Sequence, residues 1–289
     1  MHAQPEWLSD VARGQRLELV GATLSEQSWR GMGLAHAIFR ESTLVKIDLS
    51  QAELPSALLD RCDFSKADLS AADLSGSCIR FTQFTGGSLP RALLVECKLE
   101  DVSLQRADLQ GARLHDATLL RCSFLGAKMA GICLNHARLQ DCDFSGARLE
   151  GSELHRTQFA RCRFHNVHAP QARFSLAKMK SCDFARADLT GAKFQQAELQ
   201  GSCFHRVDLT GADLREAALN ASDFNGSILR GCRFGGANLF SADLRGVDLS
   251  GAREMTQAQL LQARTDSNTI LPNGSRGPFL RNSHAERLK

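Results

Sequence analysis

The chain has 289 residues, 43% of them hydrophobic and 23% charged, and a formal net charge of +3. That length holds one large domain or two ordinary ones, and the composition belongs to a folded chain rather than a disordered one. The near balance of 35 Lys and Arg against 32 Asp and Glu excludes a polyanion and a strongly basic nucleic-acid coat. No apolar run reaches the 18 residues of a membrane-spanning helix, and Met1–Trp7 lacks the basic-then-apolar pattern of a secretory signal. With ten Cys and no visible signal, the thiols are expected to stay reduced, as in a cytoplasmic protein.

Residues 1–18 form an N-terminal segment in which Trp7, Leu8 and Val11 have helical spacing, predicting a short capping helix. From Leu19 to Leu249 every fifth residue is large and apolar, 47 positions in one register with Ala169 as the only exception. Two places earlier a second series, Ala22 to Ala252, is small in 43 of 47 cases. The residue between them is mostly polar and often Asp, as in Ala67-Asp68-Leu69 and Ala187-Asp188-Leu189; turn formers and polar residues fill the other two places. A period of five suits neither a helix nor a strand, because both would scatter the large residues over several faces. It suits a chain that turns a corner every five residues.

These residues resemble the pentapeptide repeat family over residues 19–252. The resemblance implies an all-β fold, a right-handed quadrilateral β-helix of about eleven to twelve coils with four pentapeptides per coil. The large and small residues then point inward and the other three outward. A test lies within the sequence: residues 20 apart should share an environment. Phe64, Phe84, Phe124, Phe144, Phe164, Phe184, Phe204 and Phe224 fall in one column, and Cys122, Cys142, Cys162 and Cys182 fall in the column beside it.

Pro55, Pro90 and Pro170 share one phase, just after the place of the large residue, where a corner begins. Ala169 leaves a potential hole of Leu size, so His165–Gln171 is read either as a bulge or as a packing change offset by a neighbour. After Ala252 the register ends. A C-terminal helical cap is expected over 253–272, with Thr256 and Gln259 as a capping box, and a mobile tail over 273–289.

Seven Cys (62, 97, 122, 142, 162, 182 and 232) occupy the inward small place and read as core; Cys78, Cys133 and Cys203 face outward and read as the reactive ones. No Cys-x-x-Cys pair, Walker loop, dinucleotide fingerprint or nucleophile elbow occurs, and the nine His do not converge. The reading is a non-enzymatic chain with no catalytic residue, metal or cofactor.

Such a chain acts through its outer columns. Ile38, Leu58 and Cys78 stack at outward places, suggesting an apolar contact patch or a surface covered by the N-terminal segment. Beside them Arg40, Asp60, Arg80 and Glu100 make a ladder of alternating charge. Residues 117–182 carry ten basic and four acidic groups, net +6, against −4 over residues 41–116. Arg121, Arg161, Arg163, Lys178 and Lys180 are therefore candidate contacts for an acidic partner.

The resemblance implies two functions. One is a protein-binding scaffold or adaptor in the bacterial cytoplasm, of the kind associated with type VI secretion, with export through a signal-less system compatible. The other is imitation of duplex DNA to bind DNA gyrase or topoisomerase IV, which asks for a strongly acidic surface; residues 21–250 carry 27 basic and 26 acidic groups. The expected partners are proteins, a homodimer included, with neither nucleic acid nor membrane bound directly.

Overall fold

The computed structural model describes residues 16–287. The helix expected at Trp7, Leu8 and Val11 lies outside the described residues. The chain divides into two compact units with the boundary between Cys133 and Leu134.

The first unit is a right-handed quadrilateral β-helix. One side carries six short parallel strands: β1 (Glu18–Val20), β2 (Ile38–Arg40), β3 (Leu58–Asp60), β4 (Cys78–Arg80), β5 (Lys98–Glu100) and β6 (Thr118–Leu120). Each residue pairs with the one 20 places on, as in Leu19↔Phe39 and Leu59↔Ile79. The other three sides pair through single bridges at the polar place, for example Thr23↔Thr43, Ser28↔Asp48 and Gly33↔Glu53. The second unit has the same four-sided coil. It opens with β7 (Arg138–Gln140) paired to β8 (Gln158–Ala160); this strand side then narrows to single bridges, Gln158↔Lys178 and Lys178↔Glu198.

The corner explains the five-residue code. From Gly21 to Gly251 the second residue after each large one has a left-handed φ, whether or not it is glycine; Arg186 sits at 60°. On three sides the corner is a hydrogen-bonded turn, such as Ala57 N–H to Leu54 C=O (3.2 Å) and Ala192 N–H to Leu189 C=O (3.0 Å). This is the geometry in which proline fits the first central residue and a left-handed residue the second. Pro55, Pro90 and Pro170 all occupy that first place, in corners closed by such bonds. The recurring Asp has a local task. Its carboxylate accepts the N–H of the first corner residue, as Asp68 does for Ser70 (2.9 Å) and Asp248 for Ser250 (2.9 Å). An N–H that points away from the ladder thereby gains a partner.

The strand side turns differently. In strands β2–β4 and β8 the backbone bond across the corner is missing, and the small residue bridges it. Ser42, Cys62, Thr82, Cys122, Cys142 and Cys162 donate from their side chains to the carbonyls of Arg40, Asp60, Arg80, Leu120, Gln140 and Ala160. The Cys column thus supplies small buried hydrogen-bond donors, and all ten Cys are free thiols.

Inside, the large residues are buried. In the second unit the Phe144, Phe164, Phe184, Phe204 and Phe224 rings stack nearly parallel with centroids 4.7–5.0 Å apart, which is the spacing of the coils themselves. Ala169 makes no bulge. The pairing Arg148↔His168↔Asp188 keeps its 20-residue step, and Ala169 N–H bonds Asp188 C=O at 2.8 Å. The other three large residues of that coil are Phe159, Phe164 and Phe174. Phe159 meets Phe164 edge-on at 5.2 Å. Two added rings replace the volume that Ala169 gives up.

The C-terminal end is closed. Helix α1 (Gln257–Gln262) starts at Thr256, whose Oγ1 accepts Gln259 N–H (3.2 Å) while Gln259 Oε1 accepts Thr256 N–H (2.8 Å). Gln259 Nε2 donates to the carbonyls of Phe234 and Ala237 (2.8 Å each), and Thr269 Oγ1 to that of Leu244 (3.0 Å). These side chains occupy edge acceptors that would otherwise await another strand. Beyond the helix the ladder resumes at Asp243↔Arg264 and Asp248↔Ile270. Within 273–287, Phe279 and Ala285 are buried, and Asn273 N–H bonds Ala285 C=O (3.2 Å). These apolar residues hold the segment against the end of the unit.

Candidate interaction surface

The outward places of the strand side differ from those of the other three sides, because no Asp occupies the polar place there; the residues are Glu18, Ile38, Leu58, Cys78, Lys98 and Thr118 in the first unit. The expectation of an exposed apolar patch needs correction. Ile38 is only 9% exposed, and Leu58 and Cys78 are half-buried. In-register stacking sets Leu58 directly between Ile38 and Cys78, so these side chains shield one another. The charge ladder beside them is only partly joined. Arg40 reaches Glu18 (3.3 Å), whereas Asp60 lies 3.7 Å from Arg61 and 3.8 Å from Arg80. Asp60 Oδ1 and Arg80 Nε are buried without a hydrogen-bond partner.

Arg121, in the same unit, grips Asp101 with two hydrogen bonds (2.8 and 2.6 Å) and Glu100 with a third (2.8 Å). Its charge is answered locally.

The second unit gathers three of the candidate cations. Arg161 makes a two-pronged contact to Asp141 (2.7 and 2.8 Å). Lys178 and Lys180 share Glu198, at 3.7 and 3.0 Å, and hold its carboxyl below the usual range. Arg161, Lys178, Lys180 and Glu198 line an open cleft of about 430 Å³ with Gln158, Phe159, Ala160 and Ser181. Phe159, 4% exposed, belongs both to the core and to the cleft wall. Arg163 is placed apart, at the polar position of the next side, 3.9 Å from Asp143.

The cleft lies where one corner type gives way to the other. In this column the second corner residue donates its N–H to the coil above: Asp141 to Ala160 C=O (2.9 Å) and Ser181 to Gln200 C=O (3.0 Å). Between them the rung from Arg161 N–H to Lys180 C=O is missing. The coil of β8 turns by the bridged bend, and the next turns by the hydrogen-bonded corner, Cys182 N–H to Met179 C=O. Two unlike corners do not stack edge to edge, and the rung between them opens. The candidate cations were legible as a charge excess; the open rung was not. The sequence signal for it is the change in that column from Arg138 and Gln158 to Lys178, Glu198, Ala218 and finally Asn238, whose Oδ1 accepts Phe240 N–H in the manner of the other corners (3.0 Å).

Titratable groups elsewhere make no catalytic constellation of the ordinary kind. His165 Nε2 lies 2.5 Å from Asp183 Oδ2, and Cys203 feels the charge of the same carboxylate. Burial, with the charges of Asp183 and Asp223, pushes the Cys203 thiol up, away from the reactive thiolate read for it from its outward place. His168 Nδ1 pairs with Asp188 (2.8 Å). Among the described residues no group of three or more His, Cys, Asp or Glu could hold a metal ion, and no helix is long and apolar enough to cross a membrane.

Among solved structures, the chain is similar to HetL, a pentapeptide repeat protein involved in heterocyst differentiation regulation in the cyanobacterium Nostoc sp. strain PCC 7120: 26% identity over 95% of this chain and all of that one, TM-score 0.31. It is also similar to QnrB1, a plasmid-mediated fluoroquinolone resistance protein: 20% identity over 77% of this chain and 89% of that one, TM-score 0.42. A third is Rfr23, a pentapeptide repeat protein of the cyanobacterium Cyanothece 51142: 21% identity over 42% of this chain and 89% of that one, TM-score 0.33. No curated protein matches the chain. The model for the pentapeptide repeat region matches residues 97–174 and 177–253, and that for eight copies of the repeat matches residues 52–89 and 157–196. The five-residue code, the four-sided coil and the two family models agree, and the chain belongs to the pentapeptide repeat family.

Proposed function

We propose that the chain is a non-catalytic protein-binding scaffold and that the strand side of its second unit carries a contact surface for a protein partner. The observation that carries this reading is the cleft of Phe159, Arg161, Lys178 and Lys180, where the ladder of an otherwise filled repeat lapses and cations gather around it. A solenoid with a closed core has little else to offer a ligand than its outer columns. An accessory or effector-associated role in type VI secretion is one setting for such a scaffold, taken from the family resemblance.

The charge weighs against imitation of DNA. The repeats are near neutral, and many of their Asp carboxylates are engaged in capping the chain's own corners, as at Asp48, Asp68 and Asp188. Carboxylates held that way are poor stand-ins for a row of phosphates. The test is affinity capture from lysate of the source organism, with wild-type protein beside a Lys178→Glu/Lys180→Glu variant. Loss of a specific partner in the variant supports the reading. Capture of gyrase or topoisomerase subunits by both would replace it with the DNA-imitation reading.

A further inference from the structure

We propose that the open rung in the second unit is a docking notch for an acidic, extended peptide segment of a partner protein, an inference that rests on the scaffold reading and gives the partner its chemistry. Two independent features support this. The first is backbone. Arg161 N–H and Lys180 C=O lack the bond that their counterparts make on either side, between Asp141 and Ala160 and between Ser181 and Gln200. One free donor and one free acceptor on facing chain segments are what an extended peptide residue satisfies with its own C=O and N–H. The same column stays under-satisfied one coil on, where Gln200 Oε1 is buried without a partner.

The second feature is charge. Arg161, Lys178 and Lys180 stand around the cleft with Glu198 as the one acid in its lining. Asp141 answers Arg161 from outside the lining, and Glu198 is shared by two lysines. Cation is thus in excess at the notch, and an incoming Asp or Glu would share Lys178 or Lys180 with Glu198. The floor adds apolar contact through Phe159 and Ala160, and the cleft volume of about 430 Å³ lies within the range of ligand sites. A basic or neutral segment would satisfy the rung but not the lysines; an isolated carboxylate would satisfy the lysines but not the rung.

The experiment uses the full chain and a fluorescein-labelled decapeptide of alternating Val and Glu, with the Val/Lys peptide and a backbone N-methylated Val/Glu peptide as controls. Anisotropy should show saturable binding of the Val/Glu peptide that weakens at higher salt. It should weaken at least tenfold with Lys178→Glu/Lys180→Glu and with N-methylation. Hydrogen exchange should find the Arg161 amide much faster than those of Asp141 and Ser181 in the free protein, and slowed by the peptide. Equal binding of the Val/Lys peptide, indifference to N-methylation, or an Arg161 amide as protected as Asp141 would overturn the proposal. If no peptide binds while protein capture still depends on Lys178 and Lys180, the notch is rejected and the scaffold reading stands. If capture fails as well, both are rejected.

Discussion

The strand side of the first unit and the later coils of the second use the same five-residue code with two different corners. In the first unit the strand side keeps its extended backbone from β1 to β6, and in most coils a Ser, Cys or Thr side chain bridges the bend. In the second unit the same side begins that way at β7 and β8. From Met179 onward it closes by backbone bonds, as at Ser202 N–H to Leu199 C=O (3.1 Å). The small residue then keeps only its acceptor in the preceding coil: Ser202 and Ser222 donate to Met179 and Leu199, as Thr82 and Cys162 do to Leu59 and Leu139 beside their bonds across the bend. The comparison teaches that inward packing does not decide the corner. Leu fills the inward place under both forms, as at Leu59 in one and Leu199 and Leu219 in the other, whereas the backbone at the bend differs. Uniform coils stack without gaps, and a change of form produces the missing rung.

The largest test of the shared core is Phe164→Ala. Phe164 is fully buried between Phe144 and Phe184, stacked on both faces and touched edge-on by Phe159. Its removal should cost about 3–5 kcal/mol, read as a lower denaturant midpoint. Hydrogen exchange should quicken mainly in the coils next to it, because each coil depends on its neighbours. A uniform rise throughout both units would show that the repeats unfold as one block.

Ala169 sharpens the same point with a smaller effect. Ala169→Leu restores the repeat's usual residue but adds volume to a coil that already holds Phe159, Phe164 and Phe174. The change should destabilise by about 1–3 kcal/mol, and combining it with Phe174→Leu should recover much of that loss. If Ala169→Leu alone stabilises the protein, a real hole exists there and the volume argument fails.

The sequence carried the fold further than the site for a physical reason. Core packing repeats, so a five-residue and a 20-residue period could be read directly from Leu19 and from the Phe column. The Asp corners were visible as a recurring residue, but their purpose needed the N–H of the next corner residue to be seen. Arg161, Lys178 and Lys180 stood out by charge, whereas Arg121 looked equally promising until its three bonds to Asp101 and Glu100 were known. Ile38 misled because outwardness in a repeat was equated with exposure. In the tail, the burial of Phe279 and Ala285 was not legible beneath its Gly, Pro and Ser content.

The smallest effects separate the two corners chemically. Asp188 accepts Thr190 N–H (3.0 Å) and Oγ1 (2.7 Å) at a hydrogen-bonded corner. Asp188→Ala should cost about 1 kcal/mol by leaving that N–H without its acceptor. Asp188→Asn should cost less, since Asn238 already performs the task at its own corner. The strand side, which has no Asp at the polar place to cap its corners, should be indifferent to the same chemistry, and acid provides the comparison without mutation. The Ser50 hydroxyl and N–H hold the Asp48 carboxyl below its usual range, and Arg245 does the same for Asp243. A carboxyl whose folded pKa is depressed contributes its full stability above the unfolded value of about 3.9, and loses it as pH falls through the folded value. The melting temperature should therefore hold steady from neutrality to about pH 5 and decline below about pH 4. Hydrogen exchange at low pH, corrected for intrinsic rates, should quicken first at the Asp-capped corners, with the amides of β2–β4 opening later. Simultaneous opening of both would mean that the carboxylates stabilise the coil as a whole rather than the corners they cap.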